Sequence, residues 1–124
     1  MGLHTELEIY KVSYDLMGFA IDLITNMPRA IKPVVGVKLR DECLALFTCI
    51  QEANIAENKT PHLLEVQKRL EMANVLFRLS RDKRFIATGQ YARAIELTGS
   101  IGKQATAWRK QSAASPDSLQ PRLL

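Results

Sequence analysis

The chain has 124 residues, of which 47% are apolar and 24% are charged, the size and balance of one globular domain and too little for two. Aromatic residues make up only 6% of the chain, and the 6 glycines and 5 prolines are too few for a typical β-sandwich or β-barrel. This composition favours a helical protein. The amino-terminal region carries several acids, and no stretch reaches the ~18 apolar residues of a membrane span. The sequence therefore predicts a cytoplasmic protein without a targeting segment or a membrane span.

The first two helices are bounded by a capping box and by prolines. Thr5 and Glu8 have the spacing of a capping box, so helix one is expected to begin there. It should end by Asn26, because the residue before Pro28 is disfavoured in the helical conformation. Helix two is then expected over residues 33–57.

The boundary before helix three is the clearest in the chain. Asn58 can adopt a left-handed cap, Thr60 offers an N-cap hydroxyl, and a proline follows at the first helical position, where its missing N–H costs nothing. These residues predict helix three over residues 61–81. Periodicity is lost after it and resumes at a Thr-Gly pair, so helix four is expected over residues 88–112.

Each helix carries apolar residues at heptad-like spacing, which suits knobs-into-holes packing. The predicted core stripes are Leu7, Tyr10, Tyr14, Met17, Ile21 and Ile24 in helix one, Leu39, Cys43, Leu46, Ile50 and Ala53 in helix two, Leu63, Val66, Leu70, Ala73 and Phe77 in helix three, and Tyr91, Ala94, Thr98, Ile101, Ala105 and Trp108 in helix four. Short links force neighbouring helices to run in opposite directions. The sequence predicts an all-α, up-down-up-down antiparallel four-helix bundle over residues 1–112 and a disordered tail over residues 113–124.

Helix one has a second apolar stripe beside its predicted core stripe. Together the two stripes cover an arc of roughly 200°, whereas about 100° would cover one bundle face. A helix sunk deep between its neighbours is one interpretation. The other is a subunit interface of a homo-oligomer, because a long apolar strip on a small protein is normally covered. The predicted interface residues are Ile9, Val12, Leu16, Phe19 and Leu23.

Basic residues are concentrated in the second half of the chain. Residues 1–58 hold five basic and eight acidic groups, whereas residues 59–124 hold twelve basic and five acidic ones. Several cations acting together bind phosphate backbones through counterion release. A solvated face neutralised by partners such as Glu96 is the alternative. The candidate nucleic-acid-binding residues are Arg29, Lys32, Arg78, Arg81, Lys83, Arg84, Lys103, Arg109 and Lys110.

Residue patterns for catalysis or metal binding are missing from the sequence. The two histidines have no cysteine or carboxylate at metal-ligand spacing. Cys43 and Cys49 are too far apart on one helix for a disulfide and are expected to be buried thiols. Gly99 and Gly102 lie in a segment of helical period, where close helix approach explains them better than a phosphate-binding loop. The sequence predicts no catalytic residue, no metal site and no cofactor, and therefore a protein that is not an enzyme.

Scattered motifs over about residues 5–111 resemble a known family of small four-helix bundles. These motifs are Asn26-Met27-Pro28-Arg29, Lys32-Pro33 with Gly36-x-Lys38-Leu39, Ala53-Asn54 ahead of Lys59, Arg78-Leu79-Ser80-x-Asp82, and Ile101-Gly102-Lys103-Gln104 with Trp108-x-Lys110. The family comprises proteins found in intervening sequences of bacterial ribosomal RNA and the accessory variability determinants (Avd) of diversity-generating retroelements.

The resemblance implies a noncatalytic accessory role. Accessory variability determinants form a basic, ring-shaped homopentamer that binds the reverse transcriptase of the element and nucleic acid, template RNA first and DNA as a second candidate. By matching positions, Arg29, Lys32, Arg78, Arg81 and Arg84 are carried over as contacts. The other four cations rest on charge clustering alone. A protein–protein adaptor and a ribosomal-RNA-associated bundle remain as alternative functions.

Overall fold

A computed structural model describes residues 7–113 of the chain, and four helices make up most of this range. The helices are α1 (Glu8–Thr25), α2 (Val37–Ile55), α3 (Thr60–Asp82) and α4 (Thr88–Ala113). Each helix packs against the next one in the chain, and α4 packs back against α1 to close the bundle. The predicted all-α four-helix bundle is confirmed. The predicted tail lies outside the described residues except for Ala113, which is the last residue of α4.

Two helix starts differ from the expectation. The helix α1 begins at Glu8, after Leu7 in an extended conformation (φ −69°, ψ 135°), and the Thr5 half of the expected capping box lies outside the described residues. The second helix does not start as a regular α-helix at Pro33. Instead, Lys32–Gly36 form a π-helical turn that leads into α2. The carbonyl of Ile31 accepts the N–H groups of Val34, Val35 and Gly36 at 3.0, 2.9 and 3.4 Å, and the last of these bonds spans the five residues of a π-helical turn.

Gly36 lets the π-helical turn lie directly against α1. Gly36 is buried, and a Cβ atom at this position would lie 2.9 Å from Cγ2 of Ile24, near the end of α1. That separation is closer than carbon atoms of two residues normally approach. The glycine therefore fixes how closely the first link packs on α1.

The link between α2 and α3 corrects two expectations. Asn58 has a negative φ, since the only positive φ of a non-glycine residue in the described range is that of Arg84. Thr60 is the first helical residue and not the N-cap, which is Lys59 without a side-chain capping bond. Asn58 stabilises the link in another way, because its Oδ1 accepts the N–H of Thr60 at 3.3 Å. The proline predicted at the first helical position is instead the second helical residue, Pro61, where its missing N–H still has no intrahelical partner to lose.

Lys59 takes over the role that a left-handed cap would have had at the end of α2. Its Nζ donates to the carbonyls of Ala53, Asn54 and Ala56 at 2.9, 3.2 and 2.9 Å. These carbonyls lie at the carboxyl end of the helix, where the backbone groups lack partners and a positive charge is favoured. One lysine therefore satisfies several backbone groups, and no residue in the link needs a strained conformation.

The core stripes of α2, α3 and α4 are confirmed, with all their residues buried or, for Tyr91 and Trp108, partly buried against the core. Phe77 is the largest side chain that is fully buried. In α4 the small Ala94, Ala105 and Thr98 alternate with Leu97 and Ile101, which allows α4 to pack closely on its neighbours.

The stripe of α1 that faces the core was assigned wrongly. The buried residues of this helix include Ile9, Leu16 and Leu23, which were predicted to form a subunit interface, and the other two predicted interface residues, Val12 and Phe19, are half-buried against the same core. Of the predicted core stripe, Leu7, Met17 and Ile24 are also half-buried against this core, whereas Tyr14 and Ile21 are 63% and 49% exposed. The five predicted interface residues therefore belong to the interior of this chain and its margin.

Small residues explain the choice of stripe in α1. Ser13 and Ala20 lie between the bulky residues of the buried stripe and let α1 approach its neighbours closely. Burial of the Ser13 hydroxyl costs little because its Oγ donates to the carbonyl of Tyr10 at 2.9 Å. The other stripe of α1 contains the large side chains of Tyr10 and Tyr14 and could not pack as closely against the neighbouring helices.

A buried carboxylate joins α2 to α3. Glu42 is only 4% exposed, and it pairs with Arg69 Nη1 at 3.3 Å and with Lys38 Nζ at 3.4 Å. Arg69 is in turn held by Glu65, whose Oε2 accepts from Nε at 3.0 Å. The hydrogen bond with Glu42, together with both carboxylate charges, raises the pKa of Arg69. The cluster fixes the alignment of α2 against α3, because a buried charge must keep its partners.

Candidate nucleic-acid interface

Two of the three links lie at the same end of the bundle: the α1–α2 link (residues 26–36) and the α3–α4 link (residues 83–87). We call these two links, together with the last five residues of α3 (residues 78–82), the basic end. In a bundle of alternating direction, the first and third links share one end. A cleft lined by Leu23 and Asn26, at the end of α1, and by residues of the α3–α4 link confirms that the two regions meet. The fold therefore brings together cations that are about fifty residues apart in the chain.

Five cations of the basic end have no acidic partner within the described residues. They are Arg29, Lys32, Arg78, Lys83 and Arg84, and all but the half-buried Lys32 are exposed. The ion pairs found in residues 7–113 all involve other cations than these five, such as Arg40 with Asp41. Five unpaired charges on one end produce a positive potential that attracts polyanions.

Arg81 is the one predicted contact at the basic end that is paired. Its Nε and Nη2 donate to Oδ1 of Asp82 at 3.1 and 2.9 Å. Its guanidinium also lies over the ring of Tyr91, 4.3 Å from the ring centroid. This contact orients the guanidinium plane and couples the end of α3 to the first turns of α4.

Arg84 occupies a backbone position where glycine is usual. Its φ is 62°, and the end of α3 forms a Schellman motif in which Phe85 N–H donates to the Ser80 carbonyl at 2.7 Å and Arg84 N–H to the Arg81 carbonyl at 3.0 Å. A side chain in this left-handed region costs about 1–2 kcal/mol. The strained residue exposes an unpaired guanidinium at the basic end, a combination that points to a function.

The remaining three predicted contacts lie elsewhere, along the second half of α4. Lys103 and Lys110 line an open groove between α3 and α4, together with Gln67, whose Nε2 donates to Oγ1 of Thr106 at 2.9 Å. Lys103 is about 22 Å along the helix axis from the first residue of α4. The third residue, Arg109, is half-buried. The predicted set therefore separates into a six-residue cluster at the basic end and a smaller group on α4.

The alternative of charge neutralisation holds for part of the basic surface. Arg93 pairs with Glu96, as the alternative proposed, and Lys68 pairs with Glu65 at 3.8 Å. These paired cations are outside the basic end. Within residues 78–84, Asp82 pairs with Arg81 and with no other cation. The sequence could not predict which of these cations would be paired.

The structure shows no arrangement of residues for metal chemistry in residues 7–113. No three side chains of His, Cys, Asp or Glu converge there as metal ligands would. Burial, with a smaller contribution from the charge of Glu42, raises the pKa of Cys43 to about 12. Cys49 is half-buried, and burial followed by nearby carboxylates raises its pKa as well. Both thiols are therefore poor nucleophiles at neutral pH.

Sequence reasoning missed two exposed apolar surfaces. The first, the α1–α2 face, comprises Tyr14, Ile21, Val37 and Leu44, with Phe47 beside them in contact with both Tyr10 and Tyr14. The second, the α3 face, comprises Leu64, Met72, Val75 and Leu79. The signal for the α3 face was present, because these residues recur at helical spacing beside the core stripe.

Comparison with known proteins adds one finding. A family model described as bAvd-like matches residues 7–112, a range that covers all four helices except the last residue. No curated protein matches the chain. None of the helices described here is long and apolar enough to cross a membrane.

Proposed function

The chain belongs to the bAvd-like family, and on this premise we propose that it is a noncatalytic accessory protein that holds nucleic acid, template RNA in particular, for a reverse transcriptase. The observation that carries the proposal is the convergence of five unpaired cations at one end of the bundle. Phosphate contacts supply most of the affinity for nucleic acid without reading its sequence. An accessory protein that must hold a long template needs this kind of binding.

The two exposed apolar faces support assembly into a ring. A ring requires a heterologous interface, in which one surface of each subunit meets a different surface of the next. The α1–α2 face and the α3 face lie on different helices and are both apolar, so each can cover the other in a neighbouring copy. A ring of such copies would repeat the basic end around its rim, and the enlarged surface would serve RNA and the reverse transcriptase together.

A charge-matched comparison tests nucleic-acid binding. The test variant carries Arg29→Ala, Arg78→Ala and Lys83→Ala, which remove unpaired cations. The control carries Arg40→Ala, Lys68→Ala and Arg93→Ala, which remove the same charge from cations already paired with acids. We expect the slope of log affinity for single-stranded RNA against log salt to fall by about 2 in the test variant, because each lost phosphate contact contributes about 0.7.

The outcome of this comparison separates the proposal from its rival. The control should keep an affinity close to that of the wild-type protein at about 0.15 M salt. Equal losses in both variants would contradict a specific basic end. A protein–protein adaptor, the second candidate, is favoured by the apolar faces alone and would show a shallow salt dependence of its binding to protein partners and no affinity for RNA.

Two further variants test the ring. Leu44→Glu disables the α1–α2 face, and Val75→Glu disables the α3 face, each by placing a charge in an apolar contact. Each variant alone should sediment as a monomer. A mixture of the two should form a heterodimer, since one intact face of each kind remains. A mixture that stays monomeric, or single variants that keep the wild-type assembly, would contradict the heterologous interface.

A further inference from the structure

A cleft of about 540 Å³ opens at the basic end, between the end of α1 and the α3–α4 link. Its volume lies within the range of pockets that hold small ligands. Leu23 and Ile86 form an apolar floor, and both are buried. Polar side chains of Asn26, Arg81 and Arg84 line the cleft as well. An apolar floor with polar edges fits a planar, partly polar ligand.

The guanidinium of Arg81 is a flat surface in this cleft. Arg81 lines the cleft, and its guanidinium carbon lies over the ring of Tyr91, 4.3 Å from the ring centroid, so this side chain is held in place. Asp82 restrains it further through the two hydrogen bonds to one carboxylate oxygen. Nucleobases stack on arginine planes in this way, most readily when the base is not paired.

The edges of the cleft carry hydrogen-bonding groups that match a base better than a bare phosphate. Asp82 lines the cleft, and its Oδ2 has no partner among residues 7–113, so it can accept from an amino or imino group of a base. Gln90 uses Oε1 to accept the N–H of Ala87 at 2.7 Å, which leaves its amide N–H groups as donors. Asn26 donates to the Asp22 carbonyl at 3.0 Å and keeps Oδ1 as an acceptor. The carboxylate of Asp82 would repel a phosphate placed beside it.

We propose that this cleft receives one unstacked nucleobase of a single-stranded RNA, with the base on the Arg81–Tyr91 pair and the adjoining phosphate on Arg84. The inference rests on the proposed function, because it specifies which form of nucleic acid the basic end binds. A duplex keeps its bases stacked and paired, so it can use the cations and not the cleft. The protein therefore binds single strands more tightly than duplexes of the same sequence.

Arg81→Lys tests the inference, because lysine keeps the positive charge and removes the flat guanidinium. The probes are a short labelled RNA strand and the same strand annealed to its complement, measured by fluorescence anisotropy with the full chain. The variant should bind the single strand about tenfold more weakly and the duplex with nearly unchanged affinity. The control is Arg93→Lys, which makes the same exchange at an ion-paired arginine outside the basic end, and it should change neither affinity.

The possible results separate the inference from the proposed function. If the wild-type protein binds neither probe at about 0.15 M salt, the proposed function itself is wrong. If it binds both probes and Arg81→Lys weakens them equally or leaves both unchanged, the function stands and the cleft is not a base site. A thermal melt of Arg81→Lys that matches the wild-type protein shows that a selective loss reflects binding and not unfolding.

Photocrosslinking gives a readout that needs no variant. A single strand containing 4-thiouridine places a reactive base wherever the protein holds an unstacked nucleotide. Crosslinks mapped by mass spectrometry to Phe85 or to Gln90, both in the lining of the cleft, support the inference. Crosslinks confined to the groove beside Lys103 and Lys110 overturn it.

Discussion

Replacing Arg84 by glycine should make the protein more stable and a weaker binder of RNA. Arg84 has φ 62°, a conformation that costs about 1–2 kcal/mol for a residue with a side chain. Glycine removes this cost but gives the unfolded chain more freedom, which returns about 0.5–1 kcal/mol. The net gain in the free energy of unfolding is about 0.5–1 kcal/mol, or a rise in Tm of roughly 2–4 °C for a domain of this size.

The same substitution removes an unpaired guanidinium from the basic end. A charged contact to phosphate contributes about 1.5 kcal/mol, so the affinity for single-stranded RNA should fall roughly tenfold. Differential scanning calorimetry measures the stability, and fluorescence anisotropy measures the binding.

Arg84→Ala separates the two effects of the glycine variant. Alanine also removes the guanidinium, but its Cβ keeps the left-handed strain. It should therefore weaken RNA binding as much as glycine does, without the gain in Tm. A Tm for Arg84→Gly at or below that of the wild-type protein would refute the strain argument. An unchanged affinity in both variants would refute the placement of Arg84 in the nucleic-acid interface.

Three further predictions concern the bundle itself. Arg69→Met should lower the free energy of unfolding by about 2 kcal/mol, because it removes a partner of the buried Glu42. The control Lys68→Ala should lower it by less than about 0.5 kcal/mol. Urea denaturation of both variants measures the difference, and equal losses would contradict the prediction. Gly99→Ala should raise Tm by a few degrees, since a Cβ there meets open space, contrary to the close helix approach expected for this glycine, and alanine is favoured over glycine within a helix by about 1 kcal/mol; an unchanged or lower Tm would argue against it. Because its pKa is about 12, Cys43 should resist iodoacetamide at pH 8 in the folded protein and react once urea is added, and rapid alkylation in the native state, measured by mass spectrometry, would show that the thiol is accessible.

Helices with one apolar stripe could be placed correctly from the sequence, and the helix with two could not. In α2, α3 and α4 the core face is the longest continuous apolar face, because Lys68 interrupts the exposed apolar row of α3. In α1 both stripes are apolar, so hydrophobic periodicity gives no preference. The choice depends on the fit of Ser13 and Ala20 against the neighbouring helices, a matter of side-chain volume in three dimensions.

The candidate interface was predictable as a set of residues and not as an arrangement. The chain shows the run from Arg78 to Arg84 and the pair at Arg29 and Lys32, and the alternation of helix direction brings them to one end. The sequence does not show that Arg81 stacks on Tyr91, because this depends on the rotamers of both residues. Nor does it reveal the conformation of Arg84, since left-handed residues at helix ends are expected to be glycine or asparagine.

Because Gly36 has no side chain, it controls the position of charged residues that lie several residues away in the chain. The π-helical turn, which begins at Lys32, rests on Ile24 without an intervening Cβ, so the link that also bears Arg29 already touches α1 and cannot move closer to it. A larger residue at position 36 would push this link away from α1. The distance between its cations and those of the α3–α4 link would then increase. The affinity for a polyanion would then fall because the cations would be spaced differently, although every charged group would still be present.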